Sequence, residues 1–169
     1  LRGGSSLRKP PGMGGFANIS TDGRKKVSFS ASVNYARGFG NTVTYEDYSV
    51  GVNVQPLDAL KFGFYPGYSH SWRRQDQFVT QLNYEGQRRT IVSEVDQRSL
   101  SLTARINYNL TPNLTVQYYA QPFIFRALYN NYGYVTNPLG QAYDGRFTQY
   151  TAQEIQEIPG GFAVDEDRD

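Results

Sequence analysis

Hydrophobic and polar side chains alternate with period two over most of the chain. Val27, Phe29, Ala31, Val33 and Tyr35 are interleaved with Ser28, Ser30, Ser32 and Asn34, the pattern of a strand with one apolar face. A second run sets Tyr48, Val50, Val52 and Val54 against Ser49, Gly51, Asn53 and Gln55, and a third sets Leu60, Phe62 and Phe64 against Lys61, Gly63 and Tyr65. The clearest run has Leu100, Leu102, Ala104, Ile106, Tyr108 and Leu110 on one face and Ser99, Ser101, Thr103, Arg105, Asn107 and Asn109 on the other. Beyond Thr111-Pro112-Asn113, Leu114, Val116, Tyr118, Ala120, Pro122 and Ile124 oppose Thr115, Gln117, Tyr119, Gln121 and Phe123. No segment has a helical period of comparable quality. The chain reads as all-β, with antiparallel up-and-down strands and a weaker strand at Phe16–Ser20.

Turn residues organise these runs. Residues 1–15, rich in Gly, Ser and Pro, read as loop. Residues 16–126 carry the strands, and 127–169 read as a loop-rich segment with an acidic end. Short turns at 21–25, 56–59 and 111–113 fall on one side. The connection near 38–41 and a long excursion around Tyr84–Gln87 fall on the other, so a tall hairpin is expected over about 66–96.

The polar face separates a soluble sheet from a membrane wall. A soluble sheet shows water Lys and Glu, partly as protection against edge pairing. Here that face holds Ser, Thr, Asn, Gln and Gly, with Lys61 and Arg105 as its charges. Small uncharged groups suit a barrel lumen. The apolar face is uncharged, and Tyr35, Tyr48 and Tyr108 lie towards the ends of their runs, as aromatics do at bilayer interfaces. Leu100–Leu110 also matches the roughly 9–11 residues of a membrane strand.

Composition narrows the chemistry. The 169 residues carry 17 Lys plus Arg against 15 Asp plus Glu, a formal charge of +2, which gives no general case for nucleic-acid binding and leaves only local patches open. Cysteine is absent and His70 is the only histidine, excluding disulfides, thiol catalysis and His-rich metal sites. No apolar stretch is long enough for a transmembrane helix, a test that barrel strands escape. The first residue is Leu1, and the chain reads as a piece of something larger whose barrel continues elsewhere.

Several stretches resemble a C-terminal β-barrel domain of unknown function in Bacteroidetes-type outer-membrane proteins that begin with a carbohydrate-binding family 9-like module. They are Leu1–Gly4, Thr21–Ser28, Asp96–Leu100 and, most specifically, Thr103–Tyr108 running on to Tyr119-Ala120-Gln121-Pro122-Phe123. The resemblance covers about residues 1–126 with gaps, and weakly the acidic end. It implies an outer-membrane barrel with further strands beyond a stretch like Asp165–Asp169, and it transfers no catalytic motif. The carbohydrate-binding module itself is not in this chain.

The candidate residues each have a plainer role beside the functional one. Trp72, Arg73, Arg74, Arg88 and Arg89 on the tall hairpin form a candidate glycan or lipopolysaccharide patch, since guanidinium forks bind phosphate and carboxylate and a Trp face stacks on sugar. The alternative is a solvated hairpin balanced by Asp76, Glu85, Glu94 and Asp96. Asn53, Lys61, Arg105, Asn107 and Gln117 are expected to face the lumen. His70 reads as a polar residue at the outer membrane edge. Asp165–Asp169 lacks the Gly and distal Glu of an EF-hand loop and reads as a solvated acidic loop. No catalytic constellation, metal site or cofactor is expected.

These readings converge on part of a bacterial outer-membrane β-barrel that anchors, or forms a conduit for, a surface protein handling polysaccharide. Its expected partners are outer-membrane lipid, polysaccharide or lipopolysaccharide, and other outer-membrane proteins. Two alternatives remain open: a structural barrel subunit of a larger secretion or uptake complex, and a soluble extracellular glycan-binding β-sandwich.

Overall fold

The computed structural model describes residues 6–165. They form an antiparallel all-β chain that is 73% strand. Ten strands follow in order: β1 (Gly12–Ser20), β2 (Val27–Gly38), β3 (Val43–Leu57), β4 (Leu60–Tyr84), β5 (Gln87–Thr111), β6 (Leu114–Ala120), β7 (Phe123–Val135), β8 (Phe147–Gln149), β9 (Ile155–Ile158) and β10 (Gly161–Val164). The first eight make one sheet of order β1-β2-β3-β4-β5-β7-β8, with β6 also on β5; β9 and β10 form a separate hairpin. The sheet is an open meander among the described residues, with edges at β1 and at β6–β8.

Three differences from the sequence reading concern boundaries. β1 starts at Gly12, inside the segment read as loop, and pairs with β2 from Gly12↔Gly38 to Ser20↔Ser30. Glycine's weak strand preference conceals such a start. Residues 127–135 continue β7, and three further short strands follow, so this part is less loop-like than expected. Asn131, at φ 50°, sits where two residues of β7, Asn131 and Tyr132, oppose the single residue Ser93 of β5, and this one-residue bulge breaks the alternation.

β6 and β7 act as one strand. Ala104↔Ala120 and Leu100↔Ile124 belong to the same register, and Leu102 N–H still donates to the Pro122 carbonyl at 3.0 Å. The ladder is interrupted at Pro122 because proline has no N–H to return. In a pair of this kind both backbone groups of a residue point to its partner. Pro122 therefore turns its missing donor inward towards β5, and its neighbours' N–H groups point to the open side. The proline does not blunt that edge.

Register assigns the two faces. On one, Val33, Tyr48, Tyr68, Leu100 and Ile124 form a row across five strands, and Val54, Phe62, Ile106 and Tyr118 form another lower down. On the other face, Asn18, Ser32, Ser49, Gly67 and Ser101 line up. Ser32 and Ser49 hydroxyls bond at 2.7 Å. Tyr65 lies over Gly51 and Gly63, where an added Cβ would come within 2.9 Å of its ring, and its hydroxyl donates to Asn53 Oδ1 at 2.6 Å.

The tall hairpin is present. β4 and β5 pair through Tyr84↔Gln87 around a two-residue turn in which Glu85 (φ 47°) and Gly86 (φ 77°) both take left-handed backbone, as a type I′ turn requires. β3 flanks it up to Val43↔Arg73, and β7 up to Ile91↔Tyr134. The connection after β7 then straps across this end. Arg146, 3% exposed, donates to the carbonyls of Gly140 (2.7 Å), Gln141 (3.1 Å) and Arg8. Pro138 accepts from Arg8 N–H at 2.9 Å, while Asp144 and Tyr143 bind Arg74 of β4.

Little apolar surface is buried. Among the described residues, Ile91, Val92, Val95 and Phe147 are the buried hydrophobics, all at the hairpin and strap end. The accessible surface is 11631 Å², against about 8,400 Å² for a compact monomer of this mass.

The Tyr65 packing yields a prediction. Gly63→Val should lower stability by roughly 1–3 kcal/mol through overpacking against the ring. Combining it with Tyr65→Ala should cost less than the two single changes added together. Urea unfolding of the four variants measures this coupling; strict additivity would show that ring and glycine do not interact.

Candidate functional site

The polar face near the short turns gathers the residues expected to line a lumen. Asn53, Gly63, Arg105 and Tyr119 form one cross-strand row, and Lys61, Asn107 and Gln117 form the next. All five lumen positions therefore share a face, spread over β3, β4, β5 and β6. The Gly63 position beside Arg105 is covered by the Tyr65 ring, and the Arg105 guanidinium lies over the Tyr119 ring at 5.4 Å. A recess of about 460 Å³ opens over Arg105, Asn107, Gln117 and Tyr119. Along these strands, from the short turns as far as Asp47, the polar face carries no carboxylate.

The Trp72 group is arranged differently. Trp72 and Arg73 are consecutive in β4, so they point to opposite faces. Trp72 Nε1 donates to Glu94 Oε1 at 2.8 Å, and Glu94 also accepts from Asn131 at 3.0 Å. Arg74 is held by Asp144 and lies 5.8 Å from the Tyr143 ring. Arg88 bonds Gln81 near the tip, and Arg89 stacks 4.5 Å from the Tyr134 ring. The tip pair Leu82↔Arg89 is about 30 Å along the strand from Trp72. The five residues thus form no single patch. Strand alternation and length separate side chains that are close in sequence.

Above the Tyr48–Tyr68 row, whose rings stack at 6.5 Å, runs a charged row that sequence reading did not assemble: Tyr35, Glu46, His70, Arg98 and Arg126. His70 Nε2 bonds Asp96 Oδ1 at 2.9 Å, with Glu46 3.9 Å from Nδ1. Asp96 Oδ2 accepts from Arg98 at 3.0 Å. Hydrogen bonding to Arg98 comes first among the causes that hold the Asp96 carboxyl below its ordinary range, ahead of the His70 interaction. No group of three His, Cys, Asp or Glu side chains suited to a metal ion occurs among the described residues. Most of the acidic stretch Asp165–Asp169, and the Leu1–Gly4 match, lie outside those residues.

Neither a protein-family profile, a curated protein nor a solved structure matches the chain. Among the described residues no helix is long and apolar enough to cross a membrane, which says nothing about strands.

The Asp96 cluster gives a signed pH prediction. A carboxyl depressed in the folded state contributes stability above its unfolded value near 3.9, and loses it as pH falls through the folded value. Asp96→Asn should cost roughly 1–2 kcal/mol at pH 7 and nothing once the medium is acidic enough to protonate Asp96. Thermal unfolding across pH 2–7 measures the difference; a cost independent of pH would remove Asp96 ionisation from the account.

Proposed function

We propose that this chain is part of the wall of a bacterial outer-membrane β-barrel, a non-catalytic element that anchors or forms a conduit for a surface protein handling polysaccharide. The observation that carries the reading is the exposed apolar face. Phe29 (52%), Val50 (49%), Leu100 (54%), Val116 (50%) and Ile124 (72%) are open, on a sheet whose other face is lined with serine and glycine. Exposed apolar patches of this extent mark contact with lipid or protein. Tyr35, Tyr48 and Tyr68 border the band above, and Phe62, Tyr108 and Tyr118 below. From Tyr68 to Leu60 the strand rises about 26 Å, or ~20 Å at a tilt near 40°. The tyrosine side chains extend this towards the ~25 Å apolar band of outer-membrane barrels.

The open edges agree with this reading. Backbone groups at a sheet edge cannot stand unpaired in lipid, and the β6–β7 edge keeps its donors available. Further strands, from the same polypeptide or another, complete the wall. The short turns then face the periplasm and the tall hairpin faces outward. A glycan-binding sandwich requires a second sheet over the apolar face, and among the described residues the only other sheet is the small β9–β10 hairpin. The link to polysaccharide rests on the family resemblance of the sequence.

Outer-membrane fractions of cells making the full-length protein should yield a detergent-extracted band whose gel mobility shifts on boiling. A freely soluble protein with no shift would sink the membrane reading. Within a folded barrel, Val52→Arg on the apolar face should cost about 2–4 kcal/mol, against near zero for a lumen-side change such as Gln117→Arg. Urea titration in lipid vesicles reads both; equal costs would contradict the assignment of faces.

A further inference from the structure

We propose that the polar face near the short turns is a binding site for carboxylate-bearing saccharide, centred on Lys61 and Arg105. The inference rests on the barrel-wall reading and deepens it, because a conduit lining need not prefer any charge.

Three observations carry it. First, Lys61 and Arg105 occupy diagonal positions on adjacent strands, since Lys61 pairs with Asn107 and Gly63 with Arg105. Diagonal neighbours are about 7–8 Å apart at their Cα atoms, within reach of one anion for two long side chains. Second, no carboxylate on the surrounding strand positions neutralises them. Arg105 is steadied over the Tyr119 ring at 5.4 Å, a cation–π contact that is not a hydrogen bond, so the guanidinium N–H groups can still serve a bidentate acceptor. Third, the cations are bordered by amides. Asn107 and Gln117 lie in the Lys61 row, and Asn53 lies in the Arg105 row with its Oδ1 taken by the Tyr65 hydroxyl. That bond leaves both Asn53 amide N–H donors unused.

Paired cations set among amides and tyrosine hydroxyls match a sugar that carries a planar carboxylate beside several hydroxyls. Arg105 takes the carboxylate through its fork, and Lys61 adds a second charge. Asn53, Asn107 and Gln117 supply hydroxyl partners. The shared chemistry is the carboxylate, so a polymeric and a monomeric source are to be separated.

The test uses the full-length protein in a neutral detergent, with boiling-dependent gel mobility as the check on folding. Binding of hexagalacturonate, free galacturonate and neutral maltohexaose is measured by calorimetry at low salt and in 0.5 M NaCl. Hexagalacturonate should bind at least tenfold more tightly than maltohexaose and weaken in salt. Arg105→Gln and Lys61→Gln should each cost tenfold or more, while Arg105→Lys retains part of the affinity. Galacturonate binding as tightly as its hexamer would assign the site to a single acidic sugar, and tighter binding of the hexamer would assign it to a polymer. A heat-modifiable protein that binds acidic and neutral sugars equally, binds neither, or ignores both substitutions would overturn the inference and leave the barrel reading standing. A protein without the mobility shift would overturn both.

Discussion

Antiparallel register is the constraint on which everything else in this protein depends. With a side-chain period of two, a slip of one residue between neighbours would carry Val50, Phe64 and Leu102 to the side of Ser32, Ser49 and Ser101. The five long ladders hold their register through the apolar band, and β-bulges are confined to the strand ends and the outer hairpin. The apolar face is therefore uncharged where the sheet is regular, while Phe16, Phe123 and Phe125 join the polar face beside Asn34, Ser101 and Ser99. Charge enters the apolar face only above the tyrosine row, where Glu46, His70, Asp96 and Arg98 share it.

Packing of the usual kind contributes little. A single-layer sheet has no interior, and the residues that are truly buried cluster where the strap crosses the hairpin base. There Arg146 spends its donors on backbone carbonyls of three residues, joining the segment before β1 to the connection after β7. Elsewhere cohesion comes from the ladders and from close contacts on the polar face, such as Tyr65 on Gly51 and Gly63. The large apolar face is left uncovered by the described residues; in the proposed wall its surroundings supply part of the stability.

The sequence made the regular part legible. Alternation located the central strands, placed Asn53, Lys61, Arg105, Asn107 and Gln117 on one face, and marked the tall hairpin, because a two-residue period needs no knowledge of partners. It was blind where periodicity lapses. β1 opens on Gly12-Met13-Gly14-Gly15, too poor in side chains to show a period. The bulge at Asn131 hid the upper part of β7. The charged row escaped because its members come from five strands and meet only through register. The same fact read in reverse dissolved the Trp72–Arg89 patch, whose residues are near in sequence yet divided by face and by distance along the ribbon.

The inward-facing Pro122 has a consequence for how such a sheet comes into being. Prolines on exposed edge strands usually act as stoppers, presenting a position that no incoming strand can bond. Here the gap faces an existing neighbour, so the outer side of the β6–β7 strand is a live template from the moment it forms. Left in water, that template and the adjoining apolar face would recruit any extended chain, including another copy. In the proposed wall, orderly assembly therefore demands that the next strand arrive before a competitor does, and the unguarded edge sets that timetable.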